Sequence, residues 1–310
     1  MSLPNKISRL LHHMPPWWIT LPVICLLGLV ATDFLFYFLI PDLRIIAVPS
    51  PTRHYQLQPN TECIDYSSLF REGRLIHYRI GTYGNRIGTD RDQRPITQPL
   101  VACIGDSNTF GQGVEFEESY PAILQSLLPE NVSVINFGVP GYNAWQSAVM
   151  TESINEQLNP EIIIFQICTN DDDPYILPTI NKSWPHNTFL AFFIRNIIDR
   201  QRHDKKQLHN THQALQKVIE LCYQERIHLI LIVRGFPPSI KEEEFDDLHP
   251  WVFKTIDVNK MDIHDETDVT TSNHLNENGN KKLATRLSYS ILKLVQTDST
   301  DGDVPTSTFE

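Results

Sequence analysis

The segment at residues 100–128 constrains the fold most, because it changes from apolar to turn-forming and then to helix-like within a short distance. Residues 100–104 carry no charge and end at a glycine, which predicts a buried strand. Residues 105–108 read Gly-Asp-Ser-Asn and form an abrupt turn, and residues 118–128 predict a helix. The turn would place Ser107 at the carboxyl end of a parallel strand, where open α/β sheets bind their ligands.

The same alternation of strand and helix continues along the chain. Further apolar runs predict strands at residues 132–137, 161–168, 227–233 and 253–258. Helices are predicted at residues 143–156, 205–225 and 277–295, the first of them capped by Asn143. This order predicts an α/β domain at residues 99–296, a flavodoxin-like three-layer sandwich whose mostly parallel five-stranded sheet is covered on both faces.

The region at residues 17–40 is almost wholly apolar and predicts one transmembrane helix. Its preceding segment, residues 1–16, carries Lys6 and Arg9, which favours a cytoplasmic N-terminus and a main domain that is periplasmic or extracellular. A cleaved signal peptide is the alternative, but the apolar region is long and no A-x-A site follows it promptly. Asp33 either lies near the outer interface or contacts a partner membrane protein.

Three segments lie outside this alternation of strands and helices. Residues 41–98 are predicted to be a connecting region with turns and short edge strands packed beside the sheet. Residues 174–204 are predicted to form a helical cap, because apolar side chains recur at helical spacing between 189 and 198. Residues 297–310 are rich in Ser, Thr and Asp and predict a disordered tail.

Composition excludes several functional classes. A net charge of -11 argues against nucleic acid as a partner. The five cysteines show no CxxC spacing, so a zinc ribbon is not indicated, although a Cys63–Cys222 disulfide stays open for an extracytoplasmic domain. Residues 171–173 are three consecutive aspartates, for which we favour a solvated loop over a metal site. No metal and no cofactor is therefore expected.

Four polar or glycine-rich motifs follow successive predicted strands: residues 105–108, the glycine loop at 138–141, Asn170 with its neighbouring aspartate, and His274. Together they resemble the SGNH hydrolases, the GDSL-type esterase and lipase superfamily, over about residues 78–295. The stretches GDSNTFGQGVEFEESYPAILQSLL and INFGVPGYN resemble the membrane-anchored bacterial members in particular. The resemblance implies a substrate that bears an ester: a small molecule, a glycan or a lipid.

The resemblance also implies a role for each matching residue. Ser107 would attack the ester carbonyl, and His274 would accept its proton and return it to the leaving alcohol. The oxyanion would be held by the backbone N–H groups of Ser107 and Gly141 and by the side-chain amide of Asn170.

Two residues depart from the family pattern. Thr271 stands where the family usually has the aspartate that orients the histidine. A shifted loop could bring Asp268 onto the ring instead, or a backbone carbonyl could orient it and leave a Ser–His dyad. Cys168 replaces a glycine two residues before Asn170, which predicts a tighter pocket with an unchanged mechanism.

These observations favour a membrane-anchored, extracytoplasmic serine esterase that removes a small acyl group, for example an O-acetyl group of an envelope glycan. Two alternatives stay open. The same residues would serve an O-acyltransferase if water were excluded from the acyl-enzyme. A catalytically degenerate SGNH scaffold could instead serve as a binding module or as a subunit of a membrane complex.

Overall fold

A computed structural model of the protein describes residues 17–39, 46–65, 67–89, 95–172, 210–240 and 252–298. The predicted cytoplasmic segment at 1–16 and the predicted cap at 174–204 lie outside these residues. The last helix runs through Asp298, so most of the predicted tail also lies outside them. The described part of the chain has an α/β fold built on a sheet of eight strands.

Five parallel strands form the larger part of this sheet. They are β6 (Leu100–Gly105), β7 (Ser133–Gly138), β8 (Ile162–Cys168), β9 (His228–Arg234) and β10 (Val252–Asp257). Their spatial order is β10-β9-β8-β6-β7, and every neighbouring pair among them is parallel. This is the flavodoxin-like order, in which the chain reverses direction at the first strand and leaves a crevice at the carboxyl ends.

The predicted number of five strands is wrong, because three strands of the connecting region join the sheet. They are β3 (Thr61–Asp65), β4 (Ile76–Ile80) and β5 (Arg86–Ile87). They pair antiparallel with one another, and β5 pairs antiparallel with β7. Because they are short and mix polar with apolar residues, their sequence lacks the apolar run that marks the buried parallel strands. Two more strands, β1 (Ala47–Ser50) and β2 (His54–Leu57), form a separate hairpin.

Helices cover both faces of the parallel strands. In chain order the α-helices of the described residues are α1 (Trp17–Leu39), α2 (Ser67–Glu72), α3 (Ser107–Phe110), α4 (Tyr120–Leu127), α5 (Ala144–Leu158), α6 (Thr211–Glu225), α7 (Asp265–Asp268) and α8 (Glu277–Asp298). Among them, α5 and α6 cover one face of the parallel strands, and α4 and α8 cover the other. Asn143 caps α5 as predicted, its side chain accepting from the Gln146 N–H. Alternate residues of β8 enter two apolar cores: Phe165 packs on the side of α5 and α6, and Ile164 packs on the side of α4 and α8.

The N-terminal helix α1 has 23 residues. Within the described ranges of the chain, no helix meets the length and apolarity that a membrane crossing requires. The disulfide considered between Cys63 and Cys222 is absent, since both cysteines are free thiols.

Candidate active site

Ser107 begins α3 directly after β6. The side chain of Asp106 caps this short helix by accepting from the Asn108 N–H at 2.8 Å. Gly138 of β7 allows the helix to lie close, because a Cβ at that position would fall 2.0 Å from Phe110 N. The serine is therefore fixed at the carboxyl end of the sheet, as the sequence predicts for that turn.

The structure brings Ser107 and His274 together from positions 167 residues apart. Ser107 Oγ lies 2.8 Å from His274 Nε2. The histidine stands in the loop between α7 and α8, where its carbonyl accepts from the Thr270 N–H at 2.7 Å. A bridge between Val269 and Leu275 closes the same loop. A hydroxyl in hydrogen-bond contact with an imidazole is the arrangement that activates a serine nucleophile.

The surroundings of His274 favour its neutral form. Burial lowers the pKa of His274 from its ordinary value, whereas the charge of Asp106 raises it. The charges of Arg234 and Arg71 lower the pKa again, and that of Glu72 raises it. A neutral imidazole has one nitrogen free to accept a proton, so the ring can serve as a base near neutral pH.

Asp268 does not orient His274, which corrects the expectation that a shifted loop would bring it onto the ring. Its carboxylate accepts from the His264 N–H at 2.7 Å and from Lys282 Nζ at 2.7 Å. These two contacts lower the pKa of Asp268. Its carboxylate therefore connects α7 to α8 and does not contact His274. His274 Nδ1 instead lies 3.3 Å from Ser272 Oγ.

Asn170 and Gly141 lie in the loops that follow β8 and β7. Asn170 Oδ1 accepts from Cys168 Sγ at 2.7 Å, which leaves the amide NH₂ as the group that can donate to a ligand. Gly141 has a positive φ of 78°, a conformation that glycine adopts without strain. The loop is held by Tyr55, whose hydroxyl donates to the Pro140 carbonyl at 2.7 Å.

Cys168 occupies the end of β8 between two site residues. Its Sγ lies 3.1 Å from Asp106 Oδ2 as well as 2.7 Å from Asn170 Oδ1. Burial and the nearby carboxylates raise the pKa of the thiol well above its ordinary value, so the group stays protonated and donates. The sulfur therefore contacts both Asn170 and the residue before Ser107, and its single hydrogen is shared between these two acceptors.

The two described aspartates that follow Asn170, Asp171 and Asp172, are not the solvated loop that the sequence suggested. Asp171 is buried, and its carboxylate accepts from the Cys168 N–H at 2.7 Å. Asp172 accepts from the Thr211 and Ser239 hydroxyls at 2.8 and 2.6 Å. Asp173 lies outside the described residues. Both described aspartates thus hold the chain around β8 in place.

Sequence reasoning missed Arg86, a fully buried residue of β5. Its guanidinium donates to three carbonyls of the loop that follows Ser107, those of Phe110, Gly111 and Val114, at 2.6–2.7 Å. It also stacks over the rings of Tyr78 and Phe110. The segment around Arg86 offered no signal beyond its glycines, because the carbonyls that the arginine binds lie at the end of α3 and in the loop after it.

A second polar contact reaches the serine turn from β9. Arg234, the last residue of that strand, hydrogen-bonds through Nη1 to Asn108 Oδ1. The same arginine is one of the charges that lower the pKa of His274. A fixed cation thus lies beside the serine–histidine pair.

A cavity of about 1200 Å³ lies between the end of the sheet and α8, bordered by Ile256, Met261, Lys282 and Tyr289. Ser107 and His274 do not line it. We therefore assign the candidate active site from the serine–histidine contact and not from the cavity.

The parallel strands have the flavodoxin-like order, and a serine hydroxyl lies against a histidine ring at their carboxyl ends. The class of protein is therefore an α/β protein with a serine–histidine pair in its crevice. The sequence profile of the GDSL-like lipase/acylhydrolase family matches residues 103–282, which is more than half of the chain. The chain belongs to this family.

Comparison with individual proteins gives more distant similarities. An acetylxylan esterase from Xylanibacter ruminicola is 26% identical over 211 residues, 59% of this chain and 41% of that protein. The chain thus spans less than half the length of this curated relative. A psychrotrophic esterase from Pseudoalteromonas sp. is 14% identical, with 64% of this chain and 100% of that chain covered and a TM-score of 0.44. A family 3 carbohydrate esterase from Clostridium thermocellum is 15% identical, with 64% and 97% covered and a TM-score of 0.41.

Proposed function

We propose that this protein is a serine esterase that removes a small acyl group from an oxygen of its substrate. The observation that carries the proposal is the 2.8 Å contact between Ser107 Oγ and His274 Nε2. In the first half-reaction Ser107 attacks the ester carbonyl while His274 takes its proton and passes it to the leaving alcohol. In the second, His274 activates a water that releases the acid and frees the serine.

The proposed oxyanion hole consists of the Ser107 and Gly141 backbone N–H groups and the Asn170 amide. The contact from Cys168 to Asn170 Oδ1 supports this assignment, since it leaves the amide donors of Asn170 for the substrate. The positive φ of Gly141 supports a close approach of substrate to the main chain. Each preorganised donor of this kind contributes about 2.7–4 kcal/mol of transition-state stabilisation.

We propose acetyl as the acyl group and a glycan as its carrier. The support is the similarity to an acetylxylan esterase. A small acyl group also suits a site in which Cys168 fills the end of β8 where the family usually has glycine, since the larger side chain takes up space beside Asn170.

We further propose that the apolar segment at residues 17–40, which contains α1, anchors the enzyme in a membrane, with the α/β domain outside the cytoplasm. The support is the exposure of large apolar side chains on this helix, including Ile24, Leu27 and Leu29 at 62–65%. Fractionation of cells that express the full chain tests this placement. Recovery in the soluble fraction without detergent would contradict it.

The esterase proposal is tested with the full chain purified in detergent. We expect acetate release from acetylated xylan and hydrolysis of 4-nitrophenyl acetate in preference to the octanoate ester. The matched control is Ser107→Ala, which should lose both activities while keeping its circular dichroism spectrum. A folded wild-type protein that hydrolyses none of these esters would contradict the proposal and favour the degenerate-scaffold alternative.

A further inference from the structure

The geometry points to Glu72 as the acid of the serine–histidine centre, acting on His274 through the hydroxyl of Ser272. This inference rests on the proposed esterase function and adds a positioning residue to it. Ser272 Oγ lies 3.3 Å from His274 Nδ1 and 3.1 Å from Glu72 Oε1. The three groups and Ser107 therefore form one continuous chain of hydrogen bonds.

The hydroxyl hydrogen of Ser272 sets the direction of the bonds in this chain. An ionised carboxylate only accepts, so Ser272 uses its single hydroxyl hydrogen to donate to Glu72. The oxygen of Ser272 then accepts from His274 Nδ1–H. With its proton on Nδ1, the neutral ring presents the Nε2 lone pair to the Ser107 hydroxyl, 2.8 Å away. This is the tautomer that a general base requires.

The contacts of the other hydroxyls in the loop are consistent with donation from His274 to Ser272 and from Ser272 to Glu72. Thr270 Oγ1 accepts from the His274 N–H at 3.2 Å and lies 3.1 Å from Ser272 Oγ, to which it can donate. Thr271, at the position where an aspartate was expected, has its hydroxyl oxygen 3.1 Å from Glu72 Oε1 and 2.8 Å from the Arg71 carbonyl, and its single hydrogen is shared between these two acceptors. Two successive hydroxyls thus converge on one carboxylate oxygen. The loop is built around Glu72.

The charge of Glu72 has a specific task at this site. When His274 takes the Ser107 proton it becomes a cation, next to Arg71 and Arg234, whose charges oppose it. Glu72 and Asp106 are the two negative charges that favour the protonated ring. Asp106 already caps α3, so Glu72 is the carboxylate aligned with Nδ1.

The proposed acid comes from outside the segment that matches the family. Glu72 is the last residue of α2, whereas the family profile begins at residue 103. The segment that carries it is fixed against the sheet by β3 and β4, which flank α2 in the chain and pair with each other. The connecting region therefore completes the site.

The test uses the full chain in detergent and begins with a readout that needs no turnover. Long-range ¹H–¹⁵N NMR of histidine-labelled protein reports the tautomer and pKa of His274, whose signals are assigned by their loss in His274→Ala. We expect the proton on Nδ1, and a lower His274 pKa in Glu72→Gln. The control is Glu62→Gln, which replaces an exposed glutamate of β3 that pairs with Arg79. This change should leave the tautomer and the pKa of His274 unchanged. An unchanged His274 pKa and tautomer in Glu72→Gln would overturn the inference.

Kinetics with 4-nitrophenyl acetate provide the second readout. Glu72→Gln and Ser272→Ala should each lower kcat roughly 10- to 100-fold with little change in KM, less than the loss of about 10⁴ for an acid in direct contact with the histidine. The kcat of the double variant should be no lower than that of the less active single variant, because both changes break the same chain of hydrogen bonds. Glu72→Asp keeps the charge and should retain the wild-type pH profile. Additive losses in the double variant would overturn the inference.

The two readouts separate this inference from the proposed function. If the wild-type protein shows the expected tautomer and its dependence on Glu72 but hydrolyses no ester, the hydrogen-bond chain stands and the esterase proposal fails. If esters are hydrolysed while Glu72→Gln alters neither the NMR signals nor kcat, the esterase proposal stands and the role of Glu72 is excluded.

Discussion

The Nη1 atom of Arg86 donates to the carbonyl of Phe110 at 2.7 Å, so a fully buried cation ties β5 to the end of the helix that carries Ser107. Burial lowers the pKa of Arg86 to about 10, which leaves it charged at neutral pH. The position of the serine thus depends on a strand that lies outside the family segment.

Replacing this arginine should destabilise the protein markedly. Arg86→Met keeps much of the side-chain volume but removes the guanidinium that donates to the Phe110, Gly111 and Val114 carbonyls, and we expect the free energy of unfolding to fall by about 3 kcal/mol. Urea denaturation measures this change. Arg79→Met is the control: its exposed ion pair with Glu62 contributes about 0–1 kcal/mol. Equal effects of the two changes would contradict the account.

Gly138 should not tolerate even alanine. The added Cβ would meet the backbone of Phe110, and backbone cannot move aside as a flexible side chain can. We expect Gly138→Ala to cost at least about 3 kcal/mol of unfolding free energy and to reduce ester hydrolysis by displacing α3. Thermal unfolding and 4-nitrophenyl acetate hydrolysis measure the two effects. Gly28→Ala, where no atom lies within 4 Å of the new Cβ, should change neither.

Cys168 should matter as a hydrogen-bond donor and not as a nucleophile. Cys168→Ser keeps a donor between Asp106 and Asn170 and should retain kcat within about 3-fold, whereas Cys168→Ala should lose roughly 10-fold because Asn170 is no longer held. Because its pKa is raised by burial, the native thiol should also resist iodoacetamide at pH 8. Rapid alkylation of Cys168 in the folded protein, read by peptide mass spectrometry, would contradict this role.

The pH dependence of hydrolysis follows from His274. Its pKa lies below the ordinary value of about 6.5, and only the neutral ring can accept the Ser107 proton. The acid limb of kcat/KM should therefore lie below pH 6.5, with activity constant from there towards neutral pH. The pKa of His274 is lower in the folded protein than in the unfolded protein. Its contribution to the free energy of unfolding is therefore present above pH 6.5 and is lost as pH falls through the pKa of the folded state. An acid limb centred above pH 7 would contradict the assignment of His274 as the base.

The parallel half of the sheet was predictable, because strands such as β8 are continuous apolar runs that end in polar residues at the ligand-binding edge. The turn after a recognisable strand singled out Ser107, and the resemblance of the four motifs to the SGNH hydrolases singled out His274. Glu72, Ser272 and Arg86 could not be found in this way. Their contacts depend on how the short polar strands β3–β5 fold back onto β7, which leaves no periodic pattern in the sequence.

The position of the proposed acid shows why nearness in the chain does not identify such contacts. Proximity in the chain singled out Asp268, whose carboxylate in fact joins Lys282 and the His264 N–H. The carboxylate that reaches the histidine through Ser272 is about 200 residues away in sequence. Local sequence showed that Thr271 departs from the family pattern, but it contained no information on where a replacement lies.

Labelling of the full chain with a fluorophosphonate, followed by peptide mass spectrometry, tests the central claim most directly. The account predicts one adduct, on Ser107, which disappears in Ser107→Ala and His274→Ala while both variants stay folded. A folded wild-type protein without an adduct, or with an adduct on another residue, would contradict the claim that Ser107 and His274 form an activated nucleophile.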